Sequence, residues 1–289
     1  MRTHLVWLAL VFVMPMVLVG CTAEVASPGS NAPSSAAMPT PSGETSVAPP
    51  TALDAPTLES IAHTRVFFAH RSVGADIVVK GLPAVFGEYG VKPPVVNDGV
   101  PLSNGSFGDR WLNQTENPQS KLQDFDMWVR QKGVGSAADI AFMKLGFVDI
   151  KAETDVPALF HSYKSMMDRL ERDYPDVRFL HVTVSVTRWV PENNAAIEKY
   201  NEMMRGQYGD TGRLFDLAAV VSTCPDGKSD KHTTSKGDVY FQICKEYTTD
   251  GGHLNERGAE LAATAMLGVI AAAEPGPSVR PDSSSSTTR

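Results

Sequence analysis

Apolar residues in the central part of the chain form short runs at intervals. Four of these runs, rich in β-branched and aromatic residues, are typical of buried strands. They cover residues 64–69, 139–145, 177–186 and 214–221. Each run is bounded by polar residues, glycine or proline, so each predicts one strand.

Between and after these runs, apolar side chains recur every three or four residues, which predicts amphipathic helices. The helical stretches cover residues 73–86, 156–174, 192–208 and 255–273. Strands that alternate with helices of this length predict a parallel sheet covered by helices on both faces, which is a three-layer α/β/α sandwich. In such sheets, ligand sites collect beyond the carboxyl ends of the strands.

The N-terminus carries a different apolar pattern. Arg2 precedes an almost unbroken apolar run over residues 5–19, which is shorter than a transmembrane helix of about 20 residues and fits the core of a signal peptide. The run ends in Leu18-Val19-Gly20-Cys21, which resembles the lipobox of bacterial lipoproteins. The resemblance implies cleavage before Cys21, lipid such as palmitate on that cysteine, and an extracytoplasmic protein anchored to a bacterial membrane.

Composition divides the remaining chain into three parts. Residues 21–56 are dominated by Ala, Pro, Ser and Thr, which predicts a disordered, fairly extended tether. Residues 274–289 form a second biased tail with four consecutive serines. The signal peptide at residues 1–20 and these two segments leave residues 57–273, which are long enough for one domain with a sizeable core.

Charge and cysteine content narrow the range of partners. The net charge is −7 without a basic stripe, so we expect no nucleic-acid partner. Apart from Cys21, the chain contains Cys224 and Cys244, and an even number in an exported protein predicts a disulfide, with two free thiols as the alternative. No histidine lies at ligand spacing from these cysteines and no HExxH motif occurs, so we expect no metal or other cofactor.

Polar residues that could carry chemistry follow the predicted strands. Ser72 comes after the first strand, where it could cap the next helix or act as a nucleophile beside backbone N–H groups that stabilise an oxyanion. Asp250 and His253 are separated by two glycines before the last helix, and such a pair can activate a serine. The alternative is a loop that caps this helix through Asn255.

Together these residues resemble the SGNH hydrolases, which are GDSL-like serine esterases. Ser72 matches the serine that follows their first strand, and Asp250 and His253 match their DxxH block, as do Leu254-Asn255 and Gly258 after it. The resemblance covers most of residues 64–272. It implies a flavodoxin-like parallel sheet, with Ser72 as nucleophile, His253 as general base and Asp250 orienting the imidazole, and it implies no cofactor.

The chain departs from this family at two blocks. His70-Arg71-Ser72 stands where the family has GDS, and the GxND block would fall on residues 146–149. Val148 then occupies the place of an asparagine that donates to the oxyanion, and loss of one such donor can cost about 2.7–4 kcal/mol of transition-state stabilisation. SGNH-like bacterial proteins with a His-x-Ser-Val-Gly opening and a segment like residues 117–121 would make these departures typical of a divergent subgroup.

The resemblance also implies further backbone donors to the oxyanion. One is the N–H group of Ser72. For the second we expect Gly105 or Gly108, both of which lie in a predicted loop between residues 97 and 111.

We therefore expect a serine hydrolase that cleaves an ester, such as an acyl or acetyl group on a surface carbohydrate. Arg71, Lys144 and Asn255 are candidate substrate contacts, and we expect a monomer. Two alternatives remain open. A non-catalytic glycan-binding lipoprotein is favoured by Val148, and an acyltransferase would use the same residues with an acceptor alcohol in place of water.

Overall fold

The computed structural model describes residues 53–100 and 102–273. The predicted signal peptide, Cys21, nearly all of the tether and the C-terminal tail lie outside these residues. Helix α1, Ala55–His63, begins two residues before the predicted start of the domain. It does so because the Asp54 carboxylate accepts a hydrogen bond from the Thr57 N–H group at 2.8 Å and caps the helix.

Six parallel strands form the central sheet in the order β2-β3-β1-β4-β5-β6. Without the edge strand β2, this is the flavodoxin-like order, and the strand order reverses between β1 and β4. The predicted α/β class with a flavodoxin-like parallel sheet is therefore confirmed. The strands are β1 Val66–His70, β2 Val95–Asn97, β3 Ser106–Trp111, β4 Ile140–Met143, β5 Arg178–Val182 and β6 Leu214–Phe215.

Helices cover both faces of this sheet. One face carries α1, α2 Val73–Asp76, α3 Leu82–Glu88, α8 Leu217–Ser222 and α9 Glu256–Ala273. The other face carries α4 Pro118–Gln131, α5 Val134–Ala137, α6 Val156–Asp173 and α7 Pro191–Tyr208. A search of the described residues for a helix that could cross a membrane, by its length and apolar character, finds none.

A π-helical turn, Ile77–Gly81, joins α2 to α3, so the chain is helical from Val73 to Glu88. This run packs closely against α9, because a Cβ atom at Gly81 would lie 2.2 Å from the Ala259 carbonyl oxygen. The close packing fixes the segment that precedes α9 relative to the segment that precedes α2. Both segments contain predicted catalytic residues.

The prediction of a strand over residues 214–221 is wrong. The strand ends at Phe215, and α8 begins at Leu217. The Asp216 carboxylate accepts hydrogen bonds from the Ala219 N–H group at 3.1 Å and from the Thr183 hydroxyl at 2.9 Å, so it caps the new helix. A short apolar run buried on all sides does not distinguish a strand from a helix by its periodicity.

Cys224 and Cys244 form a disulfide, as the sequence predicts. The segment between them contains an antiparallel hairpin of β7 Lys231–Thr233 and β8 Val239–Phe241. Tyr240 of this hairpin is buried and Phe241 packs against the core, so the disulfide closes a segment that also contacts the domain through apolar side chains.

Removal of this disulfide is expected to lower the stability of the domain. For a loop of 20 residues, the chain-entropy model gives roughly 3 kcal/mol of free energy of unfolding. Denaturant unfolding of the Cys224→Ser/Cys244→Ser variant, compared with the wild type, measures this loss. Equal free energies of unfolding would contradict the prediction.

Candidate active site

The point where the strand order reverses brings two loops together at the carboxyl edge of the sheet. Ser72 follows β1, and the loop from Lys144 to Asp149 follows the neighbouring strand β4. The Lys144 N–H group donates to the Ala69 carbonyl at 2.9 Å, so the two strand ends remain paired up to these loops. This is the place where open α/β sheets bind ligands.

Ser72 has a strained backbone, with φ of +53° and ψ of −109°. Such a conformation costs on the order of 1–3 kcal/mol in a residue other than glycine. The side chain makes no capping hydrogen bond. Its Oγ atom is buried and has no hydrogen-bond partner within residues 53–100 and 102–273. The interpretation of Ser72 as a helix-capping serine is therefore wrong, because its hydroxyl accepts no hydrogen bond from the helix that follows.

His70 and Gly74 shape the backbone on either side of Ser72. His70 is fully buried, and its Nε2 atom is hydrogen-bonded to the Asp109 carboxylate on β3. Burial lowers the pKa of His70, although the hydrogen bond to Asp109 opposes this effect. A Cβ atom at Gly74 would lie 2.3 Å from Cγ of His70, so only glycine fits against this ring. The spacing of His70, Ser72 and Gly74 thus has a steric cause.

Asp250 and His253, for which the sequence predicts the roles of acid and base, are hydrogen-bonded to each other. Nδ1 of His253 lies 2.6 Å from Oδ2 of Asp250. The Oδ1 atom accepts from the N–H groups of Gly252 and His253, both at 2.8 Å. Desolvation opposes them, but these hydrogen bonds hold the pKa of the Asp250 carboxyl well below its ordinary value. The carboxylate therefore stays ionised and fixes the imidazole, and Nε2 of His253 faces away from it.

Two hydrogen bonds tie this pair to the helix that follows Ser72. The Leu254 N–H group donates to the Asp76 carboxylate at 3.1 Å, and the Lys80 ammonium donates to the Leu254 carbonyl at 2.8 Å. The structure therefore holds His253 next to the helix that begins at Val73. No hydrogen bond joins His253 to Ser72 within the described part of the chain, and such catalytic bonds are often long without substrate.

Trp189 explains the two glycines between Asp250 and His253. Its Nε1 atom donates to the Asp250 carbonyl at 2.8 Å. A Cβ atom would lie 2.9 Å from the indole at Gly251 and 2.6 Å from it at Gly252. The glycines therefore give Trp189 room to pack on the loop, in addition to permitting its turn. Trp189 was not predicted as a site residue, because nothing in the sequence links it to this loop.

The loop after β4 is closed by a buried ion pair. The ammonium of Lys121, on α4, lies 2.5 Å from Oδ2 of Asp149, and both side chains are fully buried. The same oxygen accepts from the Gly146 N–H group at 2.6 Å. Gly146 therefore has no free N–H group for an oxyanion. Val148 lines a pocket of about 90 Å³ and has no donor to offer.

The predictions of Gly105 and Gly108 as oxyanion donors are wrong. Gly105 precedes β3, at the edge of the sheet opposite Ser72, and its N–H group donates to the His63 carbonyl at 3.1 Å. Gly108 lies within β3, where a Cβ atom would be 2.4 Å from the Gly99 carbonyl oxygen. The sequence predicts a loop over these residues, whereas the structure has strand β3 from Ser106 to Trp111.

Asn113 follows β3 at the carboxyl edge of the sheet, the same edge at which Ser72 follows β1. The Leu112 N–H group donates to the His70 carbonyl at 2.9 Å and extends the pairing of β3 with β1 to the carboxyl edge. Asn113 follows, and its own N–H group donates to the Asp124 carboxylate at 2.8 Å. Its side-chain amide is exposed and makes no hydrogen bond to any described residue. The Asn113 side-chain amide is therefore available as a donor at this edge of the sheet.

The predictions of Lys144 and Asn255 as substrate contacts are also wrong. Lys144 is only 1% exposed, and its ammonium donates to the Leu145 carbonyl at 3.0 Å. Asn255 caps α9, since its Oδ1 atom accepts from the Gly258 N–H group at 2.9 Å and its Nδ2 atom donates to the Glu246 carbonyl at 3.0 Å. The contact predicted for Arg71 remains a prediction.

Within residues 53–100 and 102–273, no group of three or more His, Cys, Asp or Glu side chains is placed to hold a metal ion.

The fold and these side chains define a class, an α/β domain with a serine and an Asp–His pair at the carboxyl edge of a flavodoxin-like sheet. No protein-family model matches the chain, and no curated protein sequence is significantly similar to it. Solved structures that are similar to it include hydrolases of the SGNH and GDSL type, at 12–17% identity.

One similar structure is a catalytic mutant of an acetylxylan esterase from Geobacillus stearothermophilus, with 14% identity and a TM-score of 0.41, covering 72% of this chain and 94% of that one. Another is assigned to the lipolytic G-D-S-L family, from Desulfitobacterium hafniense, with 14% identity and a TM-score of 0.42, covering 71% and 99%. A third is assigned to the SGNH hydrolases, from Slackia heliotrinireducens, with 12% identity and a TM-score of 0.42, covering 72% and 98%.

Proposed function

We propose that this chain is an SGNH-type serine hydrolase that removes an acyl group, such as acetyl, from an ester on a carbohydrate. The observation that carries the proposal is the Asp250–His253 hydrogen bond of 2.6 Å, in a loop tied to the helix that begins directly after Ser72. A strained serine with an unpartnered hydroxyl, together with a carboxylate-bound imidazole in a loop tied to the following helix, suits nucleophilic catalysis.

The reaction follows from these roles. Oγ of Ser72 attacks the ester carbonyl carbon and passes its proton to Nε2 of His253, which gives a tetrahedral oxyanion and an imidazolium. Asp250 stabilises the imidazolium, and the Ser72 N–H group and the Asn113 amide donate to the oxyanion. Collapse expels the alcohol, which takes the proton from His253. Water then attacks the acyl-serine by the same route and releases the carboxylic acid.

Two exposed tryptophans support a carbohydrate substrate. Trp111 ends β3 and is 48% exposed, and Trp189 packs beside His253 and is 45% exposed. The guanidinium of Arg71 lies over the Trp111 ring at 5.3 Å. An aromatic face with an adjoining polar group offers both apolar contact area and hydrogen bonds, which is what a sugar ring requires.

The test of this function is hydrolysis by the full chain of p-nitrophenyl acetate and butyrate, together with acetate release from an acetylated oligosaccharide. We expect both activities. Hydrolysis of the phenyl esters without release from the sugar would contradict the carbohydrate substrate. If none of these substrates is hydrolysed, the proposal that the chain is an esterase is contradicted. Sugar binding without turnover would then favour a glycan-binding protein, the candidate that Val148 supports.

We further propose that the protein is extracytoplasmic and anchored by lipid on Cys21. The support is the sequence alone, from the apolar run at residues 5–19 and the residues that precede Cys21. Several acyl chains on one residue would give stable anchoring, where one chain gives marginal binding.

The Cys21→Ser variant tests this anchor. In a bacterial host, we expect the wild type in the membrane fraction and labelled by a fatty-acid analogue. The variant is expected to lose the label and to leave the membrane fraction, because Cys21 is the acceptor. The Cys224→Ser/Cys244→Ser variant is the control and should keep the label. A labelled Cys21→Ser variant would contradict the proposal.

A further inference from the structure

Two lysines are buried next to the loop that follows β4. Lys121 is fully buried and Lys144 is 1% exposed. Lys121 is paired with Asp149. The ammonium of Lys144 donates to the Leu145 carbonyl, and no carboxylate lies within ion-pair distance of it in the described part of the chain. Lys144 therefore has no ion-pair partner of its own among the described residues, and burial of an ammonium in that state is destabilising.

The position of this charge relates it to Ser72. Lys144 is bonded through its backbone to Ala69 on β1. Its charge is close enough to lower the pKa of His70, and the Asp76 carboxylate acts on the pKa of Lys144. His70 and Asp76 lie on either side of Ser72 in sequence, so the charge of Lys144 acts on groups that flank the nucleophile.

The ammonium of Lys144 also lies beside the loop in which Val148 stands where the SGNH family has an asparagine. A Cβ atom at Gly146 would be 3.6 Å from Nζ of Lys121, and Nζ of Lys144 lies 3.0 Å from the Leu145 carbonyl oxygen, so both ammonium groups adjoin the loop that contains Val148. This loop is where the SGNH resemblance places the oxyanion donor. The buried environment excludes water, and charges there act more strongly than in solvent.

We propose that Lys144 is an electrostatic positioning residue of the active site, whose buried ammonium, next to the Lys121–Asp149 pair, stabilises the oxyanion and compensates for Val148. The inference rests on the proposed function, because it concerns the oxyanion of that reaction. Lys144 does not touch the substrate. It acts through its charge on the segment from Ser72 to the loop after β4, which is a form of preorganised electrostatic stabilisation.

This role makes the activity depend on pH. The groups that face Lys144 are Lys121 from α4, Asp149 from its own loop, Asp76 from α2 and His70 from β1, which carries Asp109 as partner. Burial and repulsion from Lys121 lower the pKa of Lys144 to about 7, against the opposing effect of Asp149 and Asp76. The cation is therefore lost as the pH rises through about 7, and kcat should fall in that range.

The Lys144→Met variant of the full chain tests the proposal, with hydrolysis of p-nitrophenyl acetate as the assay. We expect kcat to fall by roughly 10–100-fold, with KM little changed and with the fall in kcat above pH 7 removed. We also expect an unchanged or higher Tm at or below pH 7, because an unpaired buried charge is removed. That gain should shrink as the pH rises toward about 10, because the unfolded-state lysine then loses its charge as well.

A purely structural lysine gives the opposite combination. Loss of kcat together with a lower Tm and an unchanged pH profile would overturn the proposal, as would an unchanged kcat. Lys132→Met, at an exposed position, is the matched control and should leave both quantities unchanged. If Lys144→Met does not fold, Lys144→Gln gives the same comparison.

The failure of this inference is distinguishable from failure of the proposed function. Activity that survives in Ser72→Ala contradicts the function itself and with it the role of Lys144. Activity that is lost in Ser72→Ala and retained in Lys144→Met contradicts Lys144 alone. A wild type that neither turns over nor accepts an organophosphate on Ser72 contradicts both.

Discussion

Replacement of Ser72 by alanine is expected to lower kcat for ester hydrolysis by at least about 10³-fold, with the fold intact. The alanine variant keeps the backbone N–H group at this position and loses only the nucleophile. His253→Ala is expected to cause a loss of similar size, because Ser72 then has no base. Since the two residues act as a unit, the double variant should be no slower than the more damaging single variant.

Matched controls come from α6, on the other face of the sheet. Ser165→Ala and His161→Ala remove the same side chains at positions that the reaction does not involve, and both should retain wild-type kcat. Circular dichroism and thermal unfolding establish that all four variants are folded. Equal activity of Ser72→Ala and Ser165→Ala would exclude Ser72 as the nucleophile.

The second large effect concerns stability. Lys121→Met is expected to lower the free energy of unfolding by about 3 kcal/mol, at the lower end of the range for removal of one partner from a buried ion pair. The reason is that Asp149 remains buried without its cation. For a domain of this size, this corresponds to a Tm lower by roughly 10 °C, which thermal and denaturant unfolding measure.

Two further variants show whether the loss of stability comes from the unpaired buried charge. Lys121→Met/Asp149→Leu removes both charges and should recover most of the lost stability, because apolar residues replace buried ion pairs at little cost. Lys164→Ala breaks an exposed pair with Asp168 and should cost about 0.5 kcal/mol or less. A loss in Lys121→Met no larger than that in Lys164→Ala would contradict the account of the buried pair.

The elements with a clear apolar period were predictable from the sequence. Helix α6 extends over Val156–Asp173 and α7 over Pro191–Tyr208, each within one residue of its predicted bounds. Both helices bury one face and expose the other, so the period survives in the sequence. The predicted strand over residues 177–186 is shorter in the structure, where β5 ends at Val182.

The elements that were missed contain buried polar residues. Strand β3 has the sequence Ser-Phe-Gly-Asp-Arg-Trp, in which Asp109 is used to bond His70. Helix α4 buries Lys121 and Asp124 on the face that meets the domain. A buried lysine or aspartate looks like a surface residue in any hydrophobic pattern. The buried polar residues of β3 and α4 therefore interrupt the apolar pattern that would have predicted these two elements.

The proposed catalytic residues were predictable to the extent that they are contiguous. Asp250 and His253 occur within four positions, so their hydrogen bond follows from one short loop. Asn113 and Trp189 reach the site only through the order of the strands and the packing of the loops. Their residue types carry no motif. The second oxyanion donor was misplaced for the same reason, since its position depends on where β3 ends.

The most direct test of the central claim is the site at which an organophosphate ester modifies the protein. Diethyl p-nitrophenyl phosphate reacts with an activated serine, which displaces p-nitrophenol and retains the phosphoryl group. The account predicts one adduct per chain by intact mass, located on Ser72 by peptide mapping, slow in His253→Ala and absent in Ser72→Ala. An adduct on another residue, or equal labelling of Ser72→Ala and wild type, would contradict it.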